Sequence, residues 1–142
     1  EAGRGAFLNG VPVRVSGISQ LERSLLATGF PYDVRVSSEN NLDHWGRFIV
    51  RAQAIRRCGS AALDLSYVAC GRFDGFWELK LKPWDVAAGA LLVAEAGGRV
   101  TDFTGQPFIW EAPGIVATNG PIHPAILEVL RMVGPKGGDD DG

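Results

Sequence analysis

The apolar positions change period several times along the chain. Over residues 5–15 they alternate: Ala6, Phe7 and Leu8, then Asn9-Gly10, then Val11, Val13 and Val15 separated by Pro and Arg. Asn-Gly between two such runs is a strong hairpin signal, because both residues tolerate the positive φ of a tight turn. A short strand is expected over 25–28, stopped by Gly29 and Pro31. These strands are too few to close a core, so residues 1–30 read as the final strands of a sheet whose other members are missing. From 38 to 57 the period becomes helical. Leu42, Trp45, Phe48, Ile49, Ala52 and Ile55 recur every three or four residues, with Ser37 or Ser38 as the cap.

After Gly59, an Ala- and Leu-rich helix is expected over 60–71, then a strand over 73–81 centred on Phe76 and Trp77. Alternation puts Phe76, Glu78 and Lys80 on one face of that strand and Trp77, Leu79 and Leu81 on the other. The next helix, 85–96, is apolar around nearly its whole circumference, with Glu95 the one charge in its body, and Gly97-Gly98 closes it. A helix of that kind is expected to be buried between layers. Strands over 99–103 and 114–118, a turn at 105–107 and a helix over 121–133 follow. Strands alternating with helices predict an α/β layered subdomain over 31–133. The closing GPKGGDDDG, 134–142, reads as a disordered tail or an expression scar.

Composition narrows the function classes. The 142 residues are 46% apolar and 21% charged, with a net charge of −2. That balance gives no electrostatic warrant for direct nucleic-acid binding. Arg47, Arg51, Arg56 and Arg57 cluster, and their spacing fits the solvated face of the 38–57 helix. No apolar run reaches the roughly 18–20 residues of a membrane span, and the opening residues do not form a signal peptide. The one methionine is Met132, so a chain without an initiating Met reads as a piece of something longer. Cys58 and Cys70 would sit about 18 Å apart along a helix, beyond the roughly 7 Å that a disulfide spans. Reduced cysteines point to a cytoplasmic protein.

Several residues could carry chemistry. Asp85 follows Pro83-Trp84 and opens the buried helix; it either caps that helix or presents a carboxylate to a hard cation such as Mg²⁺. Glu78 is either one half of an exposed Glu78–Lys80 pair or an acceptor for substrate hydroxyls. Gly59, Ser60 and Ala61 open a helix, where free N–H groups attract anions and small residues admit a ligand. His44 and His123 fall on separate predicted helices with no acidic residue one turn away, so neither forms a catalytic dyad.

Together the segments GRGAFLNG (3–10), RRCGSAALDLSYVACGRFDGFWELKLKPWDVAAGALLVAEAGG (56–98), VTDFTGQPF (100–108) and VATNG (116–120) resemble the inositol monophosphatase family. The W-D-x-A-A-G…E-A-G-G run matches its second signature; the D-P-(I/L)-D-G-T run and its upstream Glu-Glu pair do not occur. The resemblance implies the C-terminal half of a layered α-β-α-β-α sugar-phosphatase. It implies Asp85 as a metal ligand for Mg²⁺, Gly59, Ser60 and Ala61 at the substrate ring, and Glu78 on its hydroxyls. The reaction implied is hydrolysis of a phosphate monoester, inositol monophosphate or a related sugar or polyol phosphate, by a homodimer. A half lacking the other metal ligands is expected to be inactive alone. The alternative is a non-catalytic module binding a protein partner of the transcription and RNA-processing machinery, with which bacterial members are associated.

Overall fold

A computed structural model describes residues 1–132. A mixed five-stranded sheet in the order β4-β3-β5-β7-β6 lies at its centre. Its strands are β3 (Leu25–Thr28), β4 (Ala54–Arg56), β5 (Gly75–Leu79), β6 (Arg99–Thr101) and β7 (Gly114–Thr118). β3 pairs in parallel with both β4 and β5, whereas β7 pairs antiparallel with β5 and β6. The helices α1 (Leu42–Ile49) and α4 (His123–Arg131) cover one face; α2 (Ala61–Ala69) and α3 (Pro83–Glu95) cover the other.

Alternation along the strands builds both cores. Ala27, Phe76 and Ala117 point to α2 and α3 and pack with Leu65, Val68, Val86 and Val93. Leu26, Trp77 and Val116 point the other way, against Phe48, Ile122 and Ile126. The central strands are therefore buried on both sides, as a sheet sandwiched by helices requires. The α/β layered class expected from the alternating elements is the one observed.

Boundaries differ from the sequence reading where tertiary pairing overrides local pattern. The helix expected over 38–57 stops at Ile49, and Asn41 precedes it in a left-handed conformation without a side-chain cap. Residues 54–56 instead form β4, because the edge of β3 is open to pairing and the Ser24 carbonyl receives the Gln53 and Ala54 amides. Arg56 and Arg57 are thus not on the helix of Arg47 and Arg51. Leu25–Thr28 pair inside the five-stranded sheet, not with the opening hairpin. That hairpin, β1 (Ala6–Leu8) and β2 (Val11–Val13), is a separate two-stranded ribbon turning at Asn9 and Gly10, both with positive φ. The Glu95 carboxylate ties it to α3 by accepting the Gly3 and Gly5 amides at 2.6 and 2.9 Å.

The helix expected at 85–96 begins at Pro83 and is not buried all round. Val86, Gly89 and Val93 face the core, while Trp84 is 79% and Leu91 41% exposed. The strand expected over 99–103 ends at Thr101, where Asp102 turns the chain by accepting the Thr104 and Gln106 amides. Residues 133–142, including the expected end of the last helix and the 134–142 tail, lie outside the described residues.

Candidate functional site

The parallel strands β3, β4 and β5 all end on the same side of the sheet, and α2 and α3 both begin there. In open α/β sheets the crevice beyond the carboxyl ends of the strands is where ligands bind. An open cleft of about 820 Å³ occupies that position. Thr28 lines it from the end of β3 with Gly29 just beyond, Arg57 follows β4, Glu78 comes from β5, and the first turns of α2 and α3 close it. Gly59, Ser60, Ala61, Glu78 and Asp85, singled out separately in the sequence, all line this one cleft.

The α2 end is built by Ser60. Its Oγ accepts the Leu63 amide at 3.3 Å, so the Ala61 and Ala62 amides of the first turn are left without intrahelical acceptors. Gly59 has φ +94, and nothing lies within 4 Å of the position a Cβ would take, so the approach to that turn is open.

Asp85 lies in the first turn of α3, and one carboxylate oxygen accepts the Lys82 amide at 3.0 Å. Capping and cleft lining are thus compatible, because a carboxylate has two oxygens.

Glu78 is not an exposed partner of Lys80. It is 9% exposed, on the α2–α3 side of β5, and its carboxylate packs against Gly29, where a Cβ would collide with it. Lys80 instead pairs with Asp33 at 2.9 Å. Burial first, then the negative charges of Asp64 and Asp85, push the Glu78 carboxyl up from 4.5 to about 7, and Arg57 offsets part of this.

Asp64 escaped the sequence reading. It is 1% exposed, lines the cleft from α2, and one of its oxygens has no hydrogen-bond partner among the described residues. Burial raises its carboxyl from 3.8 to about 6. The available signal was its register: Asp64 and Val68 are one turn apart on the stripe that α2 buries.

The strand ends are held by one polar cluster. Asn41 Nδ2 donates to the Gly29 carbonyl at 2.7 Å and to Thr28 Oγ1 at 2.9 Å, and Trp77 Nε1 donates to Asn41 Oδ1 at 2.7 Å. His123 stands outside the cleft's lining. Its ring nitrogens lie between Thr101 and Thr118 at 2.8 and 2.9 Å. Burial, then Arg99, lowers it to about 4, so it is a neutral core group at physiological pH. Cys58 and Cys70 are both free.

Among the described residues, no group of three His, Cys, Asp or Glu side chains is arranged to hold a metal ion. The cleft does carry an excess of hard oxygen donors, the chemistry that Mg²⁺ prefers. Asp85, with one oxygen used by the cap, fits the part of a single ligand, not a complete site.

Residues 1–134 match the inositol monophosphatase family. The chain is 50% identical to the Nus factor SuhB of Pseudomonas aeruginosa over 131 residues, covering 91% of this chain and 48% of that protein. It is 45% identical to the inositol-1-monophosphatase of Synechocystis over 126 residues, covering 89% and 44%. The structure of inositol monophosphatase from Anabaena superposes with a TM-score of 0.90 at 47% identity, over 94% of this chain and 53% of that one. The chain thus spans about half the length of the relatives it matches, their C-terminal half.

Proposed function

We propose that this chain, which belongs to the inositol monophosphatase family, forms the substrate-facing half of a Mg²⁺-dependent phosphomonoesterase acting on inositol monophosphate or a related sugar or polyol phosphate. The observation that carries this reading is the convergence of Gly59, Ser60, Ala61, Glu78 and Asp85 on one cleft at the carboxyl ends of the parallel strands.

Each residue then has a part set by its position. The first-turn amides of α2, behind Gly59 and Ser60, face the ligand as donors and suit ring oxygens or an anionic group. Glu78, held against Gly29, meets substrate hydroxyls. With its carboxyl raised to about 7, it is present at neutral pH in both forms and can accept or donate a hydrogen bond. Asp85 would give one oxygen to Mg²⁺ and keep the other on the Lys82 amide, so the cap fixes the ligand's direction. A bound Mg²⁺ supplies charge neutralisation at the phosphate and lowers the pKa of a water. The remaining ligands would come from the other half of the protein. That half would also cover the outer side of α3, where Trp84 and Leu91 stand in solvent. Free Cys58 and Cys70 suit a reducing, cytoplasmic compartment. We take the assembled enzyme to be a homodimer.

The test is phosphate release from inositol 1-phosphate with Mg²⁺. The chain alone should give none above background, and the chain completed to the length of its relatives should give Mg²⁺-dependent turnover. Turnover by the chain alone, or none by the completed protein, overturns the reading. A second reading is favoured by the relatives named Nus factor: a non-catalytic module that binds a protein of the transcription and RNA-processing machinery. Its signature would be partner binding that survives Asp85→Asn, by a completed protein without phosphatase activity.

A further inference from the structure

The cleft has one wall that the strands do not supply. Between β3 and α1 the chain runs through residues 29–41, and Phe30, Tyr32, Asp33 and Val34 line the cleft. Apolar burial anchors its start at Pro31, whereas Tyr32 and Val36 farther along stand in solvent. Its internal bonds are turn bonds: the Val34 amide to the Pro31 carbonyl at 3.1 Å, and the Val36 and Ser37 amides to the Asp33 carbonyl at 3.0 and 2.9 Å. They shape the loop without fixing where it sits over the cleft.

Side chains tie it to the sheet ends. Asn41 holds the Gly29 carbonyl at the loop's base, and the Arg57 guanidinium stacks over the Phe30 ring at 5.5 Å from its centroid. Farther out, Lys80 Nζ donates to Asp33 Oδ2 at 2.9 Å and to Ser37 Oγ at 3.1 Å. It thereby spans the turn at two points. Lys80 follows Glu78 by two residues, and its backbone has φ +57, a region where a side chain is disfavoured. A strained non-glycine residue persists where its surroundings require it, and such residues gather at ligand sites. Here the requirement is visible, because glycine would relieve the strain and lose the clasp.

We propose that Lys80 is a positioning residue for substrate selection. It clasps residues 33–37 so that Phe30 to Val34 form a fixed wall against the part of the substrate remote from the phosphate. This rests on the reading of the cleft as a phosphomonoesterase site. Two of the three N–H donors of Lys80 are spent on Asp33 and Ser37, which is why its part is assigned to the loop and not to the phosphate.

The test uses Lys80→Gly, which removes the clasp while relieving the backbone, and Lys80→Arg, which keeps a cation of similar reach. In the chain as it stands, amide exchange at Val34, Val36 and Ser37 should rise about twofold to fivefold in Lys80→Gly, the worth of one exposed ion pair. Exchange in β5 and β7 should not change, and Lys80→Arg should restore the wild-type pattern. In the completed enzyme, Lys80→Gly should raise KM for inositol 1-phosphate by a similar factor, about twofold to fivefold. It should do so with a smaller change in kcat, and leave KM for glycerol 2-phosphate, too small to reach the wall, unchanged. Unaltered loop exchange in Lys80→Gly overturns the clasp. Faster exchange with unaltered KM, or equal KM losses for both substrates, overturns its role in selection. If the completed wild-type protein is inactive, the phosphatase reading fails and selection fails with it, whereas the exchange measurement still decides whether Lys80 holds the loop.

Discussion

Glu78 offers the most direct measurement of the cleft's electrostatics. Its carboxyl sits at about 7 in the folded chain against 4.5 when unperturbed, with burial the leading cause and Asp64 and Asp85 next. A carboxyl raised on folding means that the folded state holds a proton that the unfolded chain releases. Stability is then fully present below about pH 4.5 and is lost as the pH rises through 7. The shift corresponds to roughly 3 kcal/mol between those limits, at about 1.4 kcal/mol per pH unit. Asp64, raised from 3.8 to about 6 by burial, changes stability in the same direction at lower pH. Glu78→Gln replaces the carboxyl with a neutral group of the same shape. The variant's advantage over the wild type should therefore grow by roughly 2–3 kcal/mol between pH 5 and pH 8. Urea unfolding followed by circular dichroism, at half-unit steps from pH 5 to 8 with chelator present, reads this directly. Parallel pH profiles for the two proteins would refute the argument. They would mean that Glu78 ionises as freely in the cleft as in water.

Two further substitutions separate the parts of the site. Asp85→Asn keeps an acceptor for the Lys82 amide, so unfolding free energy should change by less than about 1 kcal/mol. Mg²⁺ affinity in the completed enzyme, from turnover against Mg²⁺ concentration, should fall at least about tenfold, and full activity at limiting Mg²⁺ would leave Asp85 with the cap alone. Gly29→Ala places a methyl group against the Glu78 carboxylate. It should cost about 1–3 kcal/mol as an overpacked site; if the collision is the cause, most of that cost disappears in a Glu78→Ala background, and an unchanged cost would place the strain elsewhere.

What the sequence made legible was local. The Asn9-Gly10 turn and the helix opened by Gly59 and Ser60 each depend on a few neighbouring residues, and both occur as expected. The errors lie where distant segments compete for the same residues. Ala52 and Ile55 continue a helical stripe, yet the open edge of β3 draws 54–56 into a parallel pair. No local pattern announces that, because its partner lies about thirty residues earlier. Glu78 and Asp64 show the same limit in the site. A Glu followed by Lys two residues on reads as a solvated strand face, and an Asp near a helix start reads as a capping charge. Only the folding of α2 across the end of β5 puts both carboxylates under cover.

The outer face of α3 shows how an apolar pattern and an exposed surface can both be right. Its sequence provides apolar side chains in every direction, but the described fold buries only the side carrying Val86, Gly89 and Val93. A periodic stripe identifies a helix with one neighbour, whereas all-round apolarity identifies a helix with neighbours on opposite sides. Ala87, Ala88 and Leu91 on the other side are exposed, an apolar face that suits a further packing layer. The hairpin against the same helix carries the same mark: Ala6 is buried while Phe7, Leu8 and Val11 are exposed. In the cleft, burial is the leading cause of the raised carboxyls at Asp64 and Glu78; the charges of Asp64 and Asp85 add to it at Glu78, and Arg57 offsets part of it. A divalent cation bound beside these carboxylates would favour their charged forms, which is the electrostatic arrangement that the proposed phosphatase reading calls for.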